Sequence, residues 1–77
     1  MIKVWTIVVD DYLFVNGNVC FVRAHDEVTG SQHLYIGACC DSNTEQTDIT
    51  NTINLGAKYE DDMLPFISNR IRWIQKL

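Results

Sequence analysis

Two glycine-containing turn motifs constrain this chain more than any other feature of its sequence. Asn16-Gly17 separates two runs of β-branched and aromatic residues, and both turn residues tolerate the positive φ angles of a type I′ hairpin. Val28-Thr29-Gly30 separates two further runs, and Gly30 can close a three-residue turn in the left-handed conformation. Because each turn reverses the chain between two strands, the two motifs predict an antiparallel meander.

The register of the second hairpin follows from its aliphatic residues. Successive side chains of a strand point to opposite faces, so the aliphatic sets coincide only if even-numbered residues pair with even-numbered ones. This register places Val22 opposite Ile36 and His25 opposite His33. The sequence therefore predicts that the two histidines face each other across the hairpin.

The remaining elements are read from the pattern of apolar residues. Strands are predicted at about residues 2–9, 12–15, 18–27 and 31–40, with residues 52–55 as an optional fifth strand. Asp10-Asp11 is interpreted as the turn between the first two strands. Over residues 62–76 the apolar positions instead fill about half of a helical circumference, and Asp61-Asp62 offers an N-cap. A C-terminal helix is predicted there.

The predicted fold class is α+β, with a four- to five-stranded antiparallel meander and one C-terminal α-helix packed on its aliphatic face. With 77 residues, of which 47% are hydrophobic, residues 1–77 are expected to form a single domain. The net charge of −4 argues against a general binder of duplex nucleic acid.

Cysteine usage and hydropathy predict the cellular setting. The chain has three cysteines, an odd number, without CxxC spacing. Residues 2–9 are too short for a signal peptide, and no run approaches the ~18 apolar residues of a membrane helix. We therefore expect a soluble, cytoplasmic protein with reduced cysteines.

The predicted sheet has an unusual second face. A half-solvated antiparallel sheet normally alternates apolar with polar residues, but here both faces are apolar. The second face is aromatic and edged by basic side chains: Trp5, Tyr12, Phe14, Phe21 and Tyr35, with Arg23, His25 and His33. One helix cannot cover both faces, so three arrangements are open: the sheet curls toward a small barrel, residues 41–59 fold across, or another chain packs there.

The predicted helix carries two further candidate interface residues. Arg70 lies near the middle of the apolar arc, between one side that includes Trp73 and another that includes Ile71. Such an arginine either extends its head group to water or binds a carboxylate on a partner.

Other side-chain groupings give no strong sign of chemistry. His25 and His33 could supply two metal ligands, but a zinc site needs more, and no metal or cofactor is predicted. Asp41, Asn43 and Glu45 resemble the start of a calcium loop whose expected glycine is missing.

The cysteines are expected to be mainly structural. Cys20 and Cys40 are expected to be small buried side chains, and Cys39, on the opposite face from Cys40, the more reactive thiol.

These features rank the function classes. No nucleophile and base pair is apparent, so the chain is expected not to be an enzyme. The first hypothesis is a small binding or assembly protein, of adaptor, accessory or inhibitor type, that contacts another protein chain or forms a homodimer. The alternative is a binder of single-stranded nucleic acid through the aromatic face, and a weaker alternative is a ligand-binding barrel.

Overall fold

The computed structural model describes residues 6–59 and 69–77, which form an antiparallel sheet and one helix. The strands are β1 (Ile7–Val15), β2 (Val19–Asp26), β3 (Gln32–Cys39) and β4 (Ile71–Lys76), and the helix is α1 (Gln46–Tyr59). The sheet has four strands in the order β1-β2-β3-β4, with each neighbouring pair antiparallel. The predicted α+β class is confirmed. Residues 1–5, which include Trp5, and 60–68, which begin the predicted helix, lie outside the described residues.

The first strand is continuous through a β-bulge, where a turn was predicted at Asp10-Asp11. Val9 pairs with Ala24 and Asp11 pairs with Arg23, so Asp10 is an extra residue in β1. A bulge changes the side-chain alternation, because two residues of one strand oppose one of its neighbour. Side chains from both halves of β1 consequently point to the same face: Ile7, Val9, Tyr12 and Phe14.

The first hairpin turn lies where the glycine motif predicted it. Asn16 has a φ of 54° and Gly17 a φ of 83°. The strand pairing ends at Val15 and Val19, so Asn18 is also part of the loop. The positive φ angles are confirmed, but the loop has one residue more than a two-residue type I′ turn.

The second hairpin turn is also longer than predicted. Gly30 has the expected positive φ, at 76°. However, the Asp26 N–H donates to the Ser31 carbonyl at 2.8 Å, which makes residues 27–30 a four-residue loop. The Asp26 carboxylate stabilises this loop by accepting hydrogen bonds from the backbone N–H groups of Val28 at 2.8 Å and Thr29 at 3.1 Å.

The extra loop residue reverses the predicted register of β3. Val22 lies opposite Tyr35 and Ala24 lies opposite His33, so even-numbered residues pair with odd-numbered ones. The predicted pairing of Val22 with Ile36 is therefore wrong. As a result Leu34 is 53% exposed, whereas Tyr35 is 7% exposed.

The helix and the last strand occupy different segments from those predicted. The α1 helix covers residues 52–55, where a strand had been an option, and residues 71–76 of the predicted helix form β4. Ala38 pairs with Trp73 and Cys39 with Ile71, which leaves Arg72 as the extra residue of a second bulge. Because β1 and β4 are the two edges of an open sheet, curling toward a barrel, one of the three arrangements left open by the sequence, is not observed in the described part of the chain.

The hydrophobic core lies between α1 and the face of the sheet that we call the inner face. Ile49 and Ile53, one helical turn apart, are fully buried against β1 and β4. The buried residues are Ile7, Val9, Cys20, Val22, Ala24, Tyr35, Cys39, Ile49, Ile53, Ile71 and Ile74, with Tyr12 and Phe14 packed against them. No helix within residues 6–59 and 69–77 is both long and apolar enough to cross a membrane.

Candidate functional site: the outer face of the sheet

The face of the sheet opposite α1, which we call the outer face, carries two neighbouring rows of mainly apolar side chains that cross all four strands. The strand pairings place its side chains in rows. One row contains Leu13, Phe21, Ile36 and Gln75. The next row contains Val15, Val19, Ala38 and Trp73. Two adjacent rows with a single polar side chain, Gln75, are unusual on an antiparallel sheet exposed to water.

Three large apolar side chains of the outer face are strongly exposed. Leu13 is 64% exposed, Leu34 53% and Phe21 42%. Leu13 and Phe21 are directly paired on neighbouring strands, so their side chains form one continuous surface. Scattered apolar residues are normal on a protein surface, but a contiguous patch commonly marks a site of association.

One ion pair and one histidine–carboxylate contact border the apolar rows at one side of the outer face. The Arg23 guanidinium donates to both carboxylate oxygens of Asp11, its partner in the register, with Nε 2.8 Å from Oδ1. This hydrogen bond holds the pKa of Asp11 below its ordinary value. His25 Nδ1 lies 2.7 Å from the Asp10 carboxylate. Two members of the predicted basic edge, Arg23 and His25, therefore contact carboxylates of the same chain.

Most of the predicted aromatic face points the other way. Tyr12 and Phe14 pack against the core on the inner face, with their rings edge to face at 5.2 Å. Tyr35 is buried, and this burial raises its pKa. Phe21 keeps its predicted place on the exposed face. It is joined in the adjacent row by Trp73, which the sequence placed on a helix.

The two histidines do not face each other. His33 pairs with Ala24 and His25 pairs with Gln32, so the imidazoles lie on opposite faces of the sheet. Burial, and then the charge of Lys76, lower the pKa of His33. The predicted histidine pairing is therefore wrong. Among residues 6–59 and 69–77 no group of three or more His, Cys, Asp or Glu side chains could hold a metal ion.

Arg70 lies among the acidic residues that resembled a calcium loop. Its guanidinium nitrogens are 3.7 Å from a carboxylate oxygen of Asp48 and 3.9 Å from carboxylate oxygens of Asp41 and Glu45. The guanidinium also donates to the backbone carbonyl of Asn43. The cation in this cluster is thus supplied by the chain itself, and Arg70 joins the start of α1 to the start of β4.

Cys20 is buried as predicted, but the other two cysteines differ from their predicted environments. Cys40 is exposed, whereas Cys20 and Cys39 are buried and their Sγ atoms lie 3.4 Å apart. The hydrogen bond from the Cys20 thiol lowers the pKa of Cys39 to about 7, and the same hydrogen bond raises the pKa of Cys20. Sequence reasoning missed this pair because the incorrect β3 register placed Cys39 on the face away from Cys20.

Packing within the described residues does not explain the exposed apolar side chains of the outer face. Comparisons of the chain with protein-family models, with curated proteins and with solved structures find no match. Any functional inference therefore comes from the chemistry of its own residues.

Proposed function

We propose that this chain is a small binding or assembly protein that uses the outer face of its sheet to pack against another protein chain, in the first place a second copy of itself. The observation that carries the proposal is the continuous apolar surface around Phe21, with Leu13 beside it on β1 and Ile36 beside it on β3. Removing such a surface from water contributes ~25 cal/mol per Å² of apolar area, which favours association.

Self-association suits the charges at the border of the outer face. Arg23 and Asp11 place a cation and an anion side by side, and the Asp10 carboxylate lies nearby beside the His25 ring. In a two-fold symmetric dimer each patch meets its own copy, so a surface that carries both signs of charge can be complementary to itself. A chain with a net charge of −4 and a uniformly acidic face would instead repel its copy.

The alternative of single-stranded nucleic-acid binding has less support. A stacking platform needs several exposed aromatic rings beside free cations. Tyr12, Phe14 and Tyr35 face the core, and Arg23 is paired with Asp11. Phe21 and Trp73 remain on the outer face as the aromatic side chains of a platform.

The test is solution mass by sedimentation equilibrium from micromolar to millimolar concentration. We expect the mass to rise from monomer to dimer, and we expect Phe21→Lys to shift that transition at least tenfold in concentration because it buries a charge in the interface. The matched control is Val28→Lys, which changes an apolar side chain that is 76% exposed in a hairpin loop.

Two results would contradict the proposal. A wild-type chain that is monomeric at every concentration would remove self-association, and equal effects of Phe21→Lys and Val28→Lys would remove the outer face as its site. Binding to a single-stranded oligonucleotide that weakens with salt and is lost in Phe21→Ala would favour the alternative.

A further inference from the structure

The strongest unassigned chemistry in the described residues is the pair of buried thiols on the inner face. Cys20 is 1% exposed and Cys39 is fully buried, at 0%. Cys20 lies opposite Gly37, and Cys39 is two residues further along β3, so the two cysteines are diagonal neighbours on one face. Their Sγ atoms are 3.4 Å apart and share a hydrogen bond.

We propose that Cys20 and Cys39 are a redox-active dithiol, which a small neutral oxidant such as hydrogen peroxide converts reversibly to a disulfide between β2 and β3. The inference depends on the fold alone and is independent of the proposed binding function. Disulfide formation requires the sulfurs to close from 3.4 Å to a bond length of ~2.05 Å. Because diagonal neighbours lie ~7–8 Å apart and a disulfide usually joins Cα atoms ~4.4–6.8 Å apart, the two strands move slightly closer as the bond forms.

The environment of the pair favours reaction at Cys39. The thiolate is the nucleophilic form of cysteine, and the pKa of Cys39 is lowered to about 7 by the hydrogen bond from Cys20. When Cys39 is ionised, the Cys20 thiol donates a hydrogen bond to the Cys39 thiolate. Because both sulfurs are buried, a small uncharged oxidant reaches them through local opening of the sheet more readily than a bulky disulfide does.

The reaction balances with peroxide as the only co-reactant. The Cys39 thiolate attacks one peroxide oxygen, the O–O bond breaks, and the departing hydroxide takes up a proton to form water. This leaves a sulfenic acid on Cys39. The Cys20 sulfur then attacks the Cys39 sulfur, the S–O bond breaks, and hydroxide leaves with the Cys20 proton as a second water. The two thiols are oxidised by two electrons, and one peroxide is reduced to two waters.

The test compares two single variants that each keep two cysteines. Cys40→Ser keeps Cys20 and Cys39, which are 19 residues apart and in contact. Cys39→Ser keeps Cys20 and Cys40, which close a loop only one residue longer, but Cys20 is buried and Cys40 exposed. Each folded variant is treated with hydrogen peroxide, quenched with catalase, unfolded, alkylated with N-ethylmaleimide and weighed by mass spectrometry.

We expect folded Cys40→Ser to lose two hydrogens, to resist alkylation, and to regain two alkylation sites after dithiothreitol. We expect folded Cys39→Ser to remain without an intramolecular disulfide, whereas both variants should form one to a similar extent in urea. The difference in disulfide formation between the two folded variants then arises from the fold and not from loop length.

Either of two results with Cys40→Ser would overturn the proposal. Peroxide-treated Cys40→Ser that keeps two alkylatable thiols, or gains oxygen atoms without losing two hydrogens, would show that the pair does not form a disulfide. If Cys39→Ser does not fold, as judged by circular dichroism, the wild-type chain provides the second measurement. Peroxide should leave it with one alkylatable thiol, and three remaining thiols would overturn the inference.

Discussion

A Cβ atom on Gly37 would lie 2.7 Å from the backbone carbonyl oxygen of Trp73. It would also lie 3.2 Å from Cγ1 of Ile74. The first of these contacts is with backbone, which cannot move aside as a flexible side chain can. At this point β3 and β4 are therefore too close together for any residue with a side chain.

Gly37→Ala is therefore expected to separate β4 from β3. Overpacking of this kind costs ~1–3 kcal/mol, so we expect the free energy of unfolding, measured by urea denaturation, to fall by about 2 kcal/mol. Hydrogen exchange should show the loss of protection concentrated in β4.

The matched control is Gly30→Ala. Gly30 has open space around it but a φ of 76°, so its substitution adds backbone strain of ~1 kcal/mol without touching β4. Equal loss of β4 protection in the two variants would contradict the steric explanation.

The helix is expected to depend on its two buried isoleucines. Ile53 is 1% exposed and packs against the inner face, so Ile53→Val should lower the free energy of unfolding by about 1 kcal/mol. The measurement is again urea denaturation. The control Val28→Ala, at an exposed apolar position, should change the free energy of unfolding by less than ~0.5 kcal/mol. A decrease as large as that of Ile53→Val would mean that burial does not determine the loss of stability.

Asp26 is expected to make stability depend on pH. Its carboxylate accepts hydrogen bonds from the Thr29 and Val28 N–H groups and from the Thr6 hydroxyl, and these bonds hold its pKa below the ordinary value of 3.8. A carboxyl whose pKa is lowered by folding stabilises the protein above its unfolded pKa, and this stabilisation is lost as pH falls through the folded pKa.

Asp26→Asn should accordingly reduce the loss of stability between neutral pH and pH values below about 4, as measured by urea denaturation across that range. The matched control is Glu27→Gln, which removes an exposed negative charge from the same loop. An Asp26→Asn variant with an unchanged pH profile would show that the carboxylate does not stabilise the loop.

Arg70 is expected to stabilise the junction between α1 and β4. Its ion pairs with Asp41, Glu45 and Asp48 are partly shielded from water, since the Arg70 side chain is 33% exposed. Arg70→Ala should lower the free energy of unfolding by about 1 kcal/mol, and less in high salt. The exposed Arg72→Ala is the control, and an equal effect of the two variants would contradict the junction role.

The rate of peroxide oxidation should report the lowered pKa of Cys39. In the Cys40→Ser variant the rate should rise about tenfold per pH unit below pH 7 and level off above it, because the thiolate is the reacting form. The oxidation rate of an ordinary thiol would keep rising up to a pH of ~8.5. The measurement is the rate of thiol loss at fixed peroxide concentration, and continued acceleration to that pH would contradict the lowered value.

The fold class and the positions of both glycine turns were predicted from the sequence, but the lengths of the turns were not. In addition, β-bulges caused two segments to be assigned to the wrong kind of structure. Ile71 and Ile74 are three residues apart, which is helical spacing, yet the extra residue Arg72 lets a strand place both on the inner face. Asp10 similarly interrupts the alternation of β1 and was interpreted as a turn. A bulge changes the period of a strand without leaving a distinctive residue, so periodicity alone assigns it wrongly.

The candidate site was predicted only in part for a related reason. Phe21 was placed correctly on an exposed apolar face. Tyr35 was placed there wrongly because the Asp26 side chain lengthens the second turn by one residue and reverses every side chain of β3. The helical spacing of Ile49 and Ile53 was visible, but the threonine- and asparagine-rich segment around them has weak helix propensity.

The two bulges also make the addition of further strands at the sheet edges unfavourable. A flat, regular edge strand is a template onto which further strands add, and repeated addition of this kind is how fibrils grow. Each edge strand among the described residues is bulged, β1 at Asp10 and β4 at Arg72, which distorts the edge that an incoming strand would have to match. Two copies that pack outer face to outer face would form a closed pair of sheets, whereas strand addition at the edges could continue indefinitely. The bulges disfavour strand addition and so favour the closed pair.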